Sequence, residues 1–377
     1  MRKKTKNKNR YGGIGLQVLM LLFLLLVGAN GTYAQSDCFV YEGSGNTVIT
    51  GLTDKGRAAY SLTIPATVTT VNSKAFSNAA YVSTLIIEAG GNPAFEAKLF
   101  GDNKSNIISD IQILGNSMTV ANITALFESL TTRGALSTAY IAGYSGDWSD
   151  ITSNAVLTDK VTVTLPAALV STQQFGDAKV CGRFEITKEI ISFCGNATFR
   201  DTDDGSNMLF YIADECNKEE GYIHIKRVSY VKNGEGVLIH KMKNTSAYAD
   251  LPVYDGVITG DDATNYTKNL LKGVTTATTI GKTDGNKTNL VLKDGAFHPT
   301  SGGTIGANKA YLQVPSAALA AREMLTLSFD EETTAIRLTT SPTRDDGEWY
   351  DLSGRLLNSR PSAKGLYIYN GKKYVIR

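Results

Sequence analysis

The sequence is poor in the residues that most catalytic centres use. It holds three histidines, His224, His240 and His298, and four cysteines. So few histidines make His-based chemistry hard to assemble. No C-x-x-C occurs, which argues against a zinc ribbon or a thioredoxin-like site. There is no H-E-x-x-H and no G-x-x-x-x-G-K-[ST] phosphate loop. G-x-S-x-G is missing too, because Gly143-Tyr144-Ser145-Gly146 runs into Asp147. Trp148 and Trp349 are the only tryptophans, so no aromatic-rich carbohydrate cleft is evident. Carboxylate pairs for glycoside hydrolysis meet only in three dimensions and stay open at this level.

Basic charge is lacking where it would count. The chain carries +2, but six of its positive charges and none of its acids precede residue 34. Without that segment the net charge is −4. A nucleic-acid binder needs a basic footprint, so that class is disfavoured. Apolar residues at 42% and charged residues at 20% fit a folded globular protein.

Residues 1–34 read as a signal peptide. Arg2, Lys3, Lys4, Lys6, Lys8 and Arg10 crowd the start, an apolar run covers residues 14–29, and Thr32-Tyr33-Ala34 suits cleavage before Gln35. That run has 16 residues. It would make a helix of about 24 Å, short of the ~30 Å hydrocarbon core. No integral membrane segment is expected after cleavage. Gln35-Ser36-Asp37 before Cys38 lacks a lipobox. Cleavage leaves 343 of the 377 residues, enough for two domains and a tail. A secreted or cell-surface location follows, with the periplasm as the alternative.

Cys38, Cys181, Cys194 and Cys216 all lie beyond the leader, and four cysteines allow three pairings. Cys181–Cys194 across a hairpin is the first choice. Cys38 sits at one end of the repeat region described next and Cys181 at the other. Four layers of ~4.8 Å separate them by roughly 19 Å, too far for a bridge.

An apolar-x-apolar pair recurs as Leu62/Ile64, Leu85/Ile87, Ile111/Ile113, Ala139/Ile141 and Val163/Leu165, at spacings of 23, 26, 28 and 24 residues. Each pair predicts a short strand with two inward side chains, followed by a turn and a return one layer along. Residues 120–130 place Ile123, Leu126, Phe127 and Leu130 at helical spacing, with Asn122 as a cap. Residues 38–60 read as a hairpin cap around Gly43-Ser44-Gly45-Asn46. The first unit runs Ser61-Leu62-Thr63-Ile64-Pro65, then Val68, Val71, Ala75-Phe76 and Val82. It resembles the BspA-like leucine-rich repeats of secreted Bacteroidetes proteins. The middle units lack the Ala-Phe pair in place, with Ala94-Phe95 and Leu126-Phe127 as substitutes.

Beyond residue 182 short alternating runs such as Leu209-Phe210-Tyr211-Ile212 and Tyr222-Ile223-His224-Ile225 predict an antiparallel β-sandwich. Phrases such as Asn233-Gly234-Glu235-Gly236-Val237 and Gly306-Ala307-Asn308-Lys309-Ala310 resemble a domain common in secreted Bacteroidetes proteins, for which no catalytic residues are implied. Glu348-Trp349-Tyr350-Asp351-Leu352 and the strands around Asn370-Gly371 resemble a shortened type IX sorting domain. The expected chain is mainly β with minor α. Its parts are a signal peptide (1–34), a leucine-rich-repeat domain with its cap (35–181), a β-sandwich (182–330), a linker (331–348) and a sorting-like β module (349–377).

The histidines read as structural: His224 in an alternating strand, His240 at a solvated strand end, His298 in a loop before Pro299. Asp201-Thr202-Asp203-Asp204-Gly205-Ser206-Asn207 reads as an acidic turn. It misses calcium-loop spacing, and Ile212 stands where a closing glutamate belongs. No metal or cofactor is expected. Outward strand positions are the candidate ligand contacts: Thr63, Thr84, Gln112, Tyr140, Thr162 and Thr164, joined by Tyr144 and Trp148 on the following loop. The expectation is a non-catalytic adhesion or recognition protein whose partner is a host or microbial surface protein or glycan. The alternatives are a secreted hydrolase with an interdomain site and a structural subunit of a surface assembly.

Overall fold

The computed structural model describes residues 36–101, 108–130, 135–148, 156–171, 175–186, 188–201, 208–242, 248–319, 322–329, 349–351, 356–357, 365–369 and 372–376. The leader, residues 202–207 of the acidic turn, the linker and the Asn370-Gly371 turn lie outside the described residues. The chain is mainly β with minor α and divides into two compact units after Asp330.

The first unit opens with a single 3-10 turn (Ser36–Cys38) and a hairpin, β1 (Phe39–Glu42) and β2 (Val48–Leu52). Helix α1 (Asp54–Ala58) follows. Next come β3 (Ser61–Ile64), β4 (Thr70–Val71), β5 (Thr84–Ile87), β6 (Ala94–Phe95) and β7 (Asp110–Ile113). Helix α2 (Val120–Ser129), β8 (Thr138–Ile141), β9 (Thr162–Pro166) and β10 (Lys179–Glu185) complete this half.

Strands β3, β5, β7, β8, β9 and β10 pair in parallel, each with the next. The register aligns Leu62, Leu85, Ile111, Ala139 and Val163 in one column and Ile64, Ile87, Ile113 and Ile141 in a second. All nine are buried. Strand period two puts the residues between them on the opposite, outer face. Each buried aliphatic side chain contributes about 1.5–3 kcal/mol, so register and core formation are one event.

The connections return through a second sheet, β1-β2-β4-β6, in which Ile49, Val71 and Phe95 align in parallel. Ala75 and Phe76 fill the space between the sheets. Beside β6 the sheet gives way to α2, which buries Ile123, Leu126 and Phe127. Its N-cap is Thr119, whose hydroxyl accepts from the Asn122 N–H. The expected cap, Asn122, instead donates its amide to Asn92 Oδ1 one turn of the chain away (2.8 Å).

The remaining strands are β11 (Ile190–Phe193), β12 (Phe199–Arg200), β13 (Met208–Asn217), β14 (Tyr222–Val228), β15 (Tyr230–Val231), β16 (Val237–Lys241) and β17 (Tyr248–Pro252). After helix α3 (Gly260–Tyr266) come β18 (Leu271–Val274), β19 (Thr278–Gly281), β20 (Thr283–Asp284) and β21 (Lys287–Lys293). Strands β22 (Ala296–Pro299), β23 (Gly302–Ile305), β24 (Lys309–Pro315) and β25 (Thr326–Phe329) close the unit. One sheet runs β11-β16-β13-β14-β25 and another β18-β24-β21-β20, with β22 on β21.

Strand β13, which contains the run Leu209-Phe210-Tyr211-Ile212, is buried on both faces from Met208 to Ala213. Met208, Phe210 and Ile212 join the core that begins at Cys38, while Leu209, Tyr211 and Ala213 pack with Leu271, Leu290, Phe297 and Leu312. A strand covered on both sides reads as a continuous apolar run, which Met208–Ala213 is. The parallel ladder also crosses the expected boundary at residues 181/182, since β10 pairs with β9 on one side and antiparallel with β17 on the other. Phe184 at the end of β10 meets Phe193, Phe199 and Phe210 at centroid distances of 5.1, 5.1 and 5.4 Å. His298 lies in β22 opposite Val291 rather than in a loop. The antiparallel partner explains this, because a strand's last residue can precede or be a proline when no further ladder bond is needed.

The second unit contains a sheet ordered β27-β26-β28-β29: β26 (Trp349–Tyr350), β27 (Leu356–Leu357), β28 (Gly365–Tyr369) and β29 (Lys372–Ile376). All its pairings are antiparallel.

Gly182 faces inward on β10, where a Cβ would stand 2.3 Å from Phe199 Cε1. Gly182→Ala is expected to cost about 1–3 kcal/mol by forcing that ring away. Urea unfolding checks it, and an unchanged midpoint contradicts the packing.

Candidate functional site

The outer face of the parallel sheet carries two columns. One runs Ser61, Thr84, Asp110, Thr138, Thr162 and Lys179, the other Thr63, Ile86, Gln112, Tyr140, Thr164 and Cys181. Six of the expected contact residues, Thr63, Thr84, Gln112, Tyr140, Thr162 and Thr164, therefore share this face. Asp110 organises its middle: its carboxylate accepts from Gln112 Nε2 (2.7 Å) and Thr138 Oγ1 (2.6 Å). Thr164 is only 8% exposed, flanked in register by Tyr140 and Cys181, and offers little to a ligand.

Tyr144 and Trp148 do not join the face. Both are half-buried against the core, with Trp148 stacked 4.6 Å from Phe175 and 5.3 Å from Tyr144. The chain after β8 turns inward, and the large rings fill the space between layers that a short aliphatic would leave empty.

Arg183 dominates the far end of the face. Its guanidinium lies between two rings, 4.2 Å from the Tyr140 centroid and 4.3 Å from that of Tyr248. Nε and an Nη donate to the two carboxylate oxygens of Asp250 at 2.7 and 2.8 Å. The hydrogen bonds to Asp250 raise the pKa of Arg183. Burial raises that of Tyr140. The planar fork suits this position, since only arginine can bridge a carboxylate bidentately while stacking on aromatics. Sequence reasoning missed Arg183, Tyr248 and Asp250. The alternation of β10 puts Arg183 on the outer face, but its carboxylate lies 67 residues along the chain.

A groove of about 430 Å³ opens beside this clamp. Tyr140, Arg183, Glu185, Ser192, Asn308 and Lys309 are its polar lining. Asn308 takes a left-handed conformation (φ 56°) and donates its amide to the Cys194 carbonyl (3.1 Å), holding the 307–309 turn over the groove. Glu185 is the one carboxylate among the lining residues, so a glycosidase-type acid pair is not assembled there.

Elsewhere, the bulge between Ala213 and Glu215 turns Asp214 toward His224, with Oδ1 2.6 Å from Nδ1. His240 is part-buried beside Phe329 and 3.8 Å from Glu189. Among the described residues no group of three or more His, Cys, Asp or Glu could hold a metal. Among them, too, no helix is long and apolar enough to cross a membrane.

No disulfide joins any of the four cysteines, so the expected Cys181–Cys194 bridge is absent. The two are not hairpin partners: β10 pairs with β9 and β17, and β11 pairs with β16 in a different sheet. Cys181 sits half-buried on the outer face. Cys194 is fully buried at the close approach of Gly273. Burial pushes each thiol up to about 11.

No family model, curated protein or solved structure matches the chain.

Removing the carboxylate with Asp250→Ala strands a guanidinium between two rings. It is expected to destabilise the fold by about 1–3 kcal/mol in urea unfolding. For the thiols, alkylation of Cys181 in the folded chain is expected to accelerate only as pH approaches about 11, against 9.0 for an ordinary thiol. The linkage runs the same way: the unfolded thiols ionise first. Their contribution to stability is complete below pH 9.0 and is lost as pH rises through about 11. Alkylation rates and thermal midpoints measured across that range check both.

Proposed function

We propose that this chain is an exported, non-catalytic binding protein that recognises a surface protein or glycan through the outer face of its parallel sheet. One observation carries the reading. Six in-register strands present two continuous columns of mostly hydroxyl and amide side chains, ending at the Tyr140–Arg183–Tyr248 stack and the groove beside it. Such a face is broad, rigid and preorganised, which keeps the entropic cost of recognition low. Tyrosine and arginine at its end are the residue types that concentrate binding energy.

The finer assignments belong to the same proposal. Residues 35–181 are taken as a BspA-like leucine-rich-repeat domain with the β1–β2 hairpin as its cap. The paired sheets beyond it are taken as a β-sandwich, and the terminal sheet as a sorting-like module. The reading also includes export through a cleaved leader to the cell surface or medium. These assignments rest on the repeat spacing, the leader's composition and the C-terminal phrases.

The test is saturable binding of residues 35–377 to immobilised mucins, matrix proteins and a glycan array. Gln112→Ala combined with Tyr140→Ala is expected to weaken the positive signal by at least about tenfold while leaving the circular dichroism unchanged. Binding that ignores both substitutions moves the contact away from this face. No binding to any member of the panel argues against recognition and in favour of a hydrolase screen.

A further inference from the structure

The five-stranded sheet ends at β11, whose one ladder neighbour is β16. The register pairs Ile191 with Ile239 and Phe193 with Val237, and Lys241 N–H donates to the Glu189 carbonyl in the same alignment. Glu189, Ile191 and Phe193 therefore direct their backbone groups at β16. By alternation the N–H and C=O groups of Ile190 and Ser192 point away from it, to the free side of the sheet. Among the described residues nothing bonds to these four groups. Strand β17, an edge of the parallel sheet, is built differently. Val253 N–H donates to the Val180 carbonyl, so Asp250 and Pro252 hold the outward positions of β17. A charge and a proline without a donor are common guards of an edge. The run Ile190-Ile191-Ser192-Phe193 has neither, pairs with β16 without a register shift, and leaves its first three residues part-exposed.

The groove beside Arg183 borders this strand, since Ile191, Ser192 and Phe193 belong to its lining. At Cys194 the edge is closed, because Asn308 donates to the Cys194 carbonyl. The Ser192 hydroxyl is engaged too, accepting from Ala310 N–H (3.3 Å) on the face where Ile190 meets the core around Leu271 and Leu312. The backbone of Ile190 and Ser192 is not. On the opposite face Ile191, Phe193 and Ile239 give the groove an apolar wall. Glu185 and Lys309 add one charge of each sign, and neither forms an ion pair among the described residues. Arg183 is already neutralised by Asp250.

We propose, resting on the recognition role above, that the groove receives an extended peptide of a partner protein, which joins the sheet at the free edge of β11. Two donors and two acceptors at Ile190 and Ser192 match the alternating backbone of a strand, so four main-chain hydrogen bonds hold it. Main-chain bonds of this kind give affinity, and the pockets met by alternate side chains give specificity. The peptide residue level with Ile191 turns its side chain onto the same face as Ile191, against Phe193 and Ile239. Unpaired Glu185 and Lys309 suit a peptide carrying charges of both signs and disfavour a polyanion. A glycan can meet the hydroxyl and amide groups of the lining. It offers no run of donors and acceptors at strand spacing, so the edge of β11 selects a peptide.

The test selects a random octapeptide library on residues 35–377 and measures the best sequence, made synthetically, by fluorescence anisotropy. Hydrogen exchange at the Ile190 and Ser192 amides is expected to slow when that peptide is bound. Ser192→Pro removes one outward donor that the β11–β16 ladder does not use, and should weaken binding at least about tenfold. If that variant misfolds, N-methylated peptides carry the same test with the chain unchanged. Methylating one alternate set of peptide amides should weaken binding at least about tenfold, and methylating the other set should leave it intact, because only every second amide faces β11. Peptides indifferent to both changes overturn the proposal. Amides of Ile190 and Ser192 that become protected with rising chain concentration, without peptide, assign the edge to a second copy and also overturn it. Mucin, matrix or glycan binding through the outer face with no peptide binder overturns the peptide and leaves the recognition role standing. No binding in either screen overturns both.

Discussion

Everything in the first unit hangs on the in-register stacking of inward aliphatic pairs along the parallel ladder. Leu62, Leu85, Ile111, Ala139 and Val163 share one column because five strands align residue for residue. A slip of one residue would turn each pair outward and bring threonines into the core. The same register that closes the core writes the outer face. Tyr140 neighbours Thr164 and Gln112 only because Ala139 and Ile141 are held inside. Outer face and hydrophobic core are two sides of one constraint.

The ladder's length sets a second problem, which is how to end it. At the far end the apolar column gives way to Gly182, whose missing side chain admits the Phe199 ring. Phe184 then carries the core into the next sheet through its contacts with Phe193, Phe199 and Phe210. The outer face is closed by Arg183, neutralised by Asp250 and stacked between two tyrosines. A half-buried charge of this kind is tolerated because it is paired bidentately with a carboxylate and stacked on two rings. The groove lies where these two solutions meet, and its shape depends on both. At the near end the β1–β2 hairpin carries the second sheet past β3, and Leu62 and Ile64 share one buried core with Cys38, Phe39, Ile49 and Leu52.

The parts legible in the sequence were those governed by local periodicity. The five strand positions followed from apolar-x-apolar pairs, and α2 from Ile123, Leu126 and Phe127 at helical spacing. Within that frame, six contact candidates fell on the outer face by alternation alone. What was not legible depended on which segments meet. Thr119 rather than Asn122 caps α2 because Asn92, a layer away, claims the Asn122 amide. Tyr144 and Trp148 are as apolar as they are aromatic, and an irregular layer drew them inward. Cys181 and Cys194 sit near each other in sequence yet belong to strands with different neighbours. The run Leu209-Phe210-Tyr211-Ile212 in β13 marked a strand, but only the packed structure puts Phe210 and Ile212 in one core and Leu209 and Tyr211 in another.

The sequence by itself determined the mainly β character, the spacing and inward faces of the repeated strands, and the polar chemistry of the face opposite them. Side-chain period along a strand is a property of the backbone, so it needs no knowledge of partners. Only the tertiary structure decided that β10 joins β17, that Arg183 finds Asp250 67 residues away, that the cysteines stay apart, and that the β1–β2 hairpin joins β4 beyond the end of the parallel sheet. These are choices among distant pairings. They are settled by the free energy of closing the whole core, to which no short window of sequence has access.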